Sequence, residues 1–265
     1  MAKTESENSG LLLTLDRGIR VLEEIAHSDG RATAKTLSAS LGINLGTTYQ
    51  LLRTLQANGY INRRAGGRYQ LGARIGFLID HYKLQTAPPQ SILDTLHELR
   101  EATEETVYVS LAQGTDITIV ASLEGTQRIR VGKSTIGYSA HPHARASGKA
   151  FLAFCEERDL ALYLPEGDLE RMTPNTITDR DELIAELVTI RDRGVAYDQE
   201  EFDEGIACIG AVILDEDGKP VGAYAASLPN ERFLTQHESV TTELLKAAET
   251  ASRSMGYIGP YPPHG

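Results

Sequence analysis

The chain has 265 residues, 41% of them hydrophobic, and a formal net charge of −11. That length suits one large or two ordinary domains with a real core, and no apolar run approaches the ~20 residues of a membrane span. Cys155 and Cys208 form no C-x-x-C pair, which speaks against a disulfide framework or thiolate zinc site and for free thiols in a reducing cytoplasm. The opening "MAKTESENSG" lacks a signal-peptide core.

The charge is unevenly placed. Residues 1–85 hold 11 Lys and Arg against 7 Asp and Glu, net +4, and the remainder holds 15 against 30, net −15. A basic head on an acidic body suggests two domains with different partners.

In the head, "TLDRGIRVLEEIA" predicts a helix capped by Thr14, with Leu15, Ile19, Leu22, Ile25 and Ala26 on its inward face. "TAKTLSASLG" predicts a second helix, with Thr33 as N-cap, Ala34, Leu37 and Leu41 inward and Gly42 as the stop. After a short turn Asn44 caps a third helix running to about Asn58, with Thr48, Leu51, Leu52 and Leu55 inward. Gly46, Gln50 and Arg53 take its opposite face, flanked by Thr47 and Tyr49. Two helices joined by a tight turn, the second polar outside, read as a helix-turn-helix. Gln50 suits adenine, Arg53 suits guanine or phosphate, and Asn44, Gly46, Thr47, Thr48 and Tyr49 complete the expected DNA-contacting set on this helix. "YINRRAGGRYQLG" predicts a hairpin that turns at Gly66-Gly67, a wing presenting Arg63, Arg64 and Arg68 to phosphate or the minor groove. A helix-turn-helix pattern alone also fits a merely packed αα-hairpin; the arginine-rich wing favours double-stranded DNA.

"GARIGFLIDHYKLQT" predicts a linker helix with Ile75, Leu78, Ile79 and Tyr82 along one side, ended by Pro88 and Pro89. The body alternates helices ("SILDTLHELREAT", "TDRDELIAELVTIRDRG", "TQHESVTTELLKAAETASRSMG") with strands ("TVYVSLA", "DITIVASLE", "RIRVG", "VAYD"). "CIGAVILDEDGKPVGAYAASLP" predicts a hairpin around Asp217-Gly218, "HARASGKAFLAF" a helix start rich in small residues, and "PYPPHG" a loose tail. Hairpins flanked by helices indicate an α+β domain. The expected division is residues 1–72 for the head, 73–89 for the linker helix and 90–265 for the body.

The body shows no catalytic constellation. "GKS" at 132–134 lacks the first P-loop glycine, since position 127 is Gln127. His141 and His143 form an H-x-H pair without a placed third ligand. No metal or cofactor is expected. Small residues in "ARASGKA", with Asp198, Cys208 and Ser227 near strand ends, suit a small-molecule pocket or tight helix–sheet packing.

The combination resembles the IclR family of bacterial transcriptional regulators, from about Leu11 to Gly256. "LDRGIRVLEEIA", "LGINLGTTYQLLRTLQANGY" and "GRYQLG" carry the resemblance in the head; "HARASGKAFLAF" and the "DxxExxEG" beginning at Asp198, followed by Cys208 and a hairpin ending in serine and proline, carry it in the body. The resemblance implies a winged helix-turn-helix, a GAF-like effector-binding domain, and a homodimer commonly paired into a dimer of dimers. It implies promoter DNA and a small-molecule effector, an organic acid or aromatic catabolite, as partners. Carried over by position, the effector residues are Ala140, Ala146, Ser147, Asp198, Ile206, Cys208, Ala225 and Ser227. Two departures stand out. Leu45, Gly46 and Gln50 replace residues that are often lysine, serine and arginine in the family, which implies a different operator and heavier use of the wing. Ala225 replaces a serine of some carboxylate binders, which implies a larger or more apolar ligand. The competing expectation is an enzyme or sensor whose head mediates protein contacts.

Overall fold

The computed structural model describes residues 12–132, 134–164 and 167–263. Residues 1–11, which hold the "MAKTESENSG" opening and Leu11, Lys133 of the "GKS" stretch, residues 165–166, and His264 and Gly265 of the tail lie outside them. The chain divides into two compact units, residues 1–86 and 87–265.

The first unit opens with α1 (Leu13–His27), α2 (Ala34–Leu41) and α3 (Leu45–Ala57). Thr33 caps α2 in a reciprocal box with Thr36, and Gly42 ends it in the left-handed region at φ 64°, a conformation glycine adopts without Cβ strain. Asn44 caps α3 by accepting a hydrogen bond from the Thr47 amide at 2.8 Å. Val21, Ile25, Leu37, Ile43, Leu51, Leu52, Ile61 and Tyr69 make the core. The expected inward face of α1 is therefore half right: Ile25 is buried, but Leu15 and Ile19 are exposed and Val21 takes the inward place. Nor does Thr14 cap α1, which begins after Leu12.

Strands β1 (Ile61–Arg63) and β2 (Tyr69–Leu71) form the wing, paired Ile61 to Leu71 and Arg63 to Tyr69. The Tyr69 amide donates to the Ala32 carbonyl, and Thr33 bridges Arg68, so the wing is tied to the start of α2. Helix α4 (Ala73–Thr86) follows in the same unit, and Phe77, Leu78 and Ile79 on it are exposed.

The second unit is a five-stranded antiparallel sheet in the order β4-β3-β7-β6-β5, built from β3 (Thr106–Gln113), β4 (Asp116–Leu123), β5 (Ala196–Gln199), β6 (Ile206–Leu214) and β7 (Pro220–Pro229). One face packs on α5 (Gln90–Thr103) and α9 (Asn230–Ser254), with Leu96, Ile209, Tyr224, Leu244 and Ala248 among the buried contacts. On the other side, α6 (Ala146–Leu152) and α8 (Arg180–Arg193) bury Phe151, Leu183, Leu187 and Ile190; the short helix α7 (Leu160–Tyr163) lies between them in the chain. Covered on both faces, β6 is buried along nearly its whole length.

Two expectations fail here. "RIRVG" is not a strand, and its Val131 carbonyl accepts the Thr106 hydroxyl at 2.5 Å rather than a ladder amide. The described part of the tail is docked: the Tyr261 hydroxyl donates to the Val212 carbonyl at 2.7 Å, and Pro263 is buried.

Candidate functional site

In the head, α3 presents Leu45, Gly46, Tyr49, Gln50 and Arg53 to solvent, with Thr47 half-buried at its start. Asn44 spends its side-chain oxygen on capping. Thr48 must be removed from the expected contact set. It is fully buried, and its hydroxyl donates to the Asn44 carbonyl at 3.1 Å, locking the turn between the two helices. Arg63, Arg64 and Arg68 are all exposed on the wing. The Arg64 amide donates to the Arg68 carbonyl at 2.8 Å, closing a tip that holds Gly66 and Gly67 at positive φ. Arg53 on α3 and the three wing arginines are exposed side chains suited to phosphate.

In the body, a cavity of about 300 Å³ opens on the sheet face that carries α6. Strand register builds its floor. Asp198 pairs with Cys208 and Cys208 with Ser227, a polar row across β5, β6 and β7. Two residues along the same face, Gly210, Ala225 and Tyr108 form the next row. Loops supply the walls: Val131, Ser134 and Thr135 from one, Tyr138 and Arg145 from the stretch before α6, and Phe202 and Asp203 from the turn after β5.

Of the eight expected effector residues, Asp198, Ile206, Cys208 and Ser227 line this cavity. The other four do not, for separate reasons. Ala225 is fully buried beneath Tyr108 and Ile119, so its lack of a hydroxyl gives no room to a ligand. Ser147 is fully buried and its hydroxyl accepts from Ser110 at 3.0 Å. Ala146 packs its carbonyl on Gly210, where a Cβ would lie 2.4 Å from it. Ala140 is exposed outside the cavity. The small residues of "ARASGKA" thus serve close helix–sheet packing.

The electrostatics are uneven. Asp198 accepts from the Glu201 amide at 2.7 Å and the Phe202 amide at 3.3 Å, which shapes the turn carrying Phe202 and Asp203. Burial, then repulsion from Glu201, pushes its carboxyl up to about 7. Glu201 is paired with Lys149 at 2.5 Å, yet burial still raises it. Burial raises both thiols, Cys155 to about 12. The Cys208 sulfur lies 3.1 Å from the Ser227 hydroxyl, so neither cysteine is poised as a nucleophile.

His141 and His143 both meet Glu170. His141 Nε2 meets its carboxylate at 2.9 Å and Nδ1 the Tyr138 hydroxyl at 2.7 Å, while His143 Nε2 meets the Glu170 carbonyl at 2.9 Å. Among the described residues no group of three metal-ligating side chains occurs.

Sequence reasoning missed Tyr108, Tyr138, Arg145 and Phe202. Tyr108 had a signal, its place in an alternating strand; the other three lie outside the regular strands and helices, where periodicity says nothing.

Comparison with known proteins decides the family. The IclR helix-turn-helix domain matches residues 14–65, and the bacterial transcriptional regulator IclR C-terminal domain matches residues 89–253. The chain belongs to the IclR family of bacterial transcriptional regulators. It is 30% identical to the acetate operon repressor of Salmonella typhimurium, over 96% of this chain and 94% of that protein. It is likewise 30% identical to the transcriptional repressor IclR of Escherichia coli, over 94% and 92%. The Thermotoga maritima IclR structure superposes with TM-score 0.73 at 30% identity, covering 93% of this chain and all of that one. A Rhodococcus regulator superposes with TM-score 0.72 at 27% identity, covering 92% and 98%. As an IclR regulator the chain is a DNA-binding transcription factor, with a winged helix-turn-helix head and a GAF-like effector domain. The matched relatives are regulators, not enzymes, which decides against the enzyme reading.

Proposed function

We propose that this IclR regulator works as a cytoplasmic homodimer, paired further into a dimer of dimers. In this reading it represses a promoter through two heads and is switched by an organic acid or aromatic catabolite in the body. Residues 1–72 are the reading head, 73–89 the linker and 90–265 the effector and assembly domain. Gln50 and Arg53 read base edges, Thr47 and Tyr49 with the amides near Asn44 and Gly46 hold phosphate, and Arg63, Arg64 and Arg68 grip the backbone beside them. Paired half-sites then lie about one helical turn apart, ~34 Å.

The observation that carries the DNA reading is the exposure of all four arginines, together with Gln50, on the capped third helix and its wing. The dimer is supported by apolar side chains left in solvent on α1 (Leu13, Leu15, Ile19) and α4 (Phe77, Leu78, Ile79). The effector reading is supported by a cavity floored by Asp198, Cys208 and Ser227. The effector shifts DNA affinity only if it prefers one arrangement of the dimer, and a coupling of ~1–3 kcal/mol is ordinary.

The test is fluorescence anisotropy of the full-length protein on its own upstream intergenic DNA and on scrambled DNA across a salt series. Selective binding with a steep salt slope is expected. Equal weak binding to both at every salt concentration overturns the sequence-reading role.

A further inference from the structure

We propose that the outer face of α8 packs antiparallel against α8 of a second copy of this chain and so joins two dimers; this rests on the dimer-of-dimers reading above. Helix α8 is apolar on two sides. Leu183, Leu187 and Ile190 face the core and are buried. Ile184 and Val188, one turn apart, are 45% and 51% exposed. A helix apolar on a second side has a second surface to bury. Leu234 on α9 is more exposed still, but its neighbours a turn away are Asn230, Glu231, His237 and Glu238, so it forms no stripe. At ~100° per residue, Arg180, Asp181, Ile184, Val188, Arg191 and Asp192 fall within about 120° of arc on α8. The stripe has an apolar centre and an Arg-Asp pair at each end.

That order of charges is self-complementary when two copies run antiparallel. With a twofold axis midway between Ile184 and Val188, Ile184 meets the second copy's Val188, Asp181 meets the second copy's Arg191, and Arg180 meets the second copy's Asp192. A parallel pair sets aspartate against aspartate and arginine against arginine. The helix dipole does not account for the pattern. It favours Asp181 at the N-terminal end and Arg191 at the C-terminal end, but it disfavours Arg180 and Asp192 where they stand. Asp181 and Asp192 are exposed and have no ion-pair partner among the described residues, whereas the neighbouring Arg193 has Glu186. Nε of Arg180 donates to the Gly167 carbonyl at 3.1 Å and Nε of Arg191 to the Ala153 carbonyl at 2.7 Å, which holds the two arginines at the ends of the stripe. A twofold contact of this kind closes on itself and adds no further copies. Fourteen residues make α8 ~21 Å long, too short to bury by itself the ~1,000 Å² of a standing interface. The contact therefore suits reversible joining of dimers already made.

The test is sedimentation velocity of the full-length protein across a dilution series. The unaltered chain forms tetramers that fall to dimers on dilution. Ile184→Asp combined with Val188→Asp weakens the joining of dimers at least ~ten-fold and stops at the dimer, since apolar burial at the centre of the contact is lost. Asp181→Arg combined with Asp192→Arg also weakens it, and more at low salt than at high. Each of those two changes adds two units of positive charge, taking the chain from −11 to −7, so general repulsion between chains falls. Association that is unchanged or tighter in this variant overturns the antiparallel pairing. A tetramer that survives Ile184→Asp with Val188→Asp overturns the α8 face and leaves the dimer of dimers standing. Monomers in that variant move α8 into the first dimer contact and likewise overturn the inference. An unaltered protein that stays dimeric at every concentration overturns the dimer of dimers itself, and gives the α8 face to a different protein.

Discussion

Asp198 offers a prediction whose sign and size both come from the structure. Its carboxyl titrates at about 7 where an ordinary aspartate titrates at 3.8, because it is buried and then because Glu201 lies near it. The folded chain therefore holds a proton across an interval in which the unfolded chain has lost it. That contribution to stability is complete below pH 3.8 and is lost as the pH rises through about 7. At 1.36 kcal/mol per pH unit the whole effect is about 4 kcal/mol, an upper value for a group with a polar row beside it. Asp198→Asn removes the ionisation, while its amide oxygen can still accept from the Glu201 and Phe202 amides. Glu201, Lys149, Cys208 and Tyr108 surround the position in both proteins and largely cancel in the comparison. We expect the variant to be ahead by about 1–2 kcal/mol at pH 5 and by up to roughly 4 kcal/mol at pH 8.5, so that its advantage grows by about 1–3 kcal/mol over that interval. Urea-dependent hydrogen exchange of β6 amides in the full-length protein reads this without interference from the head. A stability difference independent of pH, or a variant less stable at pH 8.5, refutes the assignment of a buried, proton-holding Asp198.

Three further outcomes follow from the head. Gln50→Ala should cost about 1–3 kcal/mol on the operator and little on random DNA, as anisotropy will show; equal losses would make Gln50 a phosphate contact. Arg64→Ala should reduce the slope of log affinity against log salt by ~1, and an unchanged slope removes Arg64 from the interface. Ile19→Asp combined with Phe77→Asp should shift sedimentation velocity profiles towards monomer while leaving the folded cores intact, since both side chains are exposed; an unchanged dimer places the contact elsewhere.

The sequence disclosed most where a local rule decides the structure. Thr33 and Asn44 cap their helices as expected because a short polar side chain satisfies a free amide, whatever else surrounds it. Gly42 and Gly194 stop helices because they take positive φ. Strand periodicity located β3, β4, β6 and β7. Periodicity failed where it had to say what covers an apolar face: Leu15 and Ile19 lie on a helical stripe, yet no described residue of their own unit buries them. It failed again in the cavity. Arginine is almost never fully buried, so composition places Arg145 on the surface, and only the folded loops reveal it as a wall. Thr48 shows the reverse error, a polar residue near a reading face whose hydroxyl is turned inward to the backbone.

The acidic body and basic head have a joint consequence for DNA binding. At physiological ionic strength the Debye length is about 8 Å, so phosphates held as proposed by Arg53, Arg63, Arg64 and Arg68 feel only those charges of the −15 carried by the rest of the chain that lie within that reach. At 0.01 M salt it lengthens to ~30 Å, about the diameter of a small domain, and the body's repulsion reaches the duplex. Counterion release alone predicts a straight line of log affinity against log salt. Here the line should bend, with affinity gaining less than expected as salt falls below roughly 0.03 M, where screening gives way. Replacing exposed body carboxylates such as Glu156, Glu157 and Asp168 with their amides should straighten it without changing affinity at 0.15 M. A line already straight down to 0.01 M would mean that the body's field never reaches the duplex.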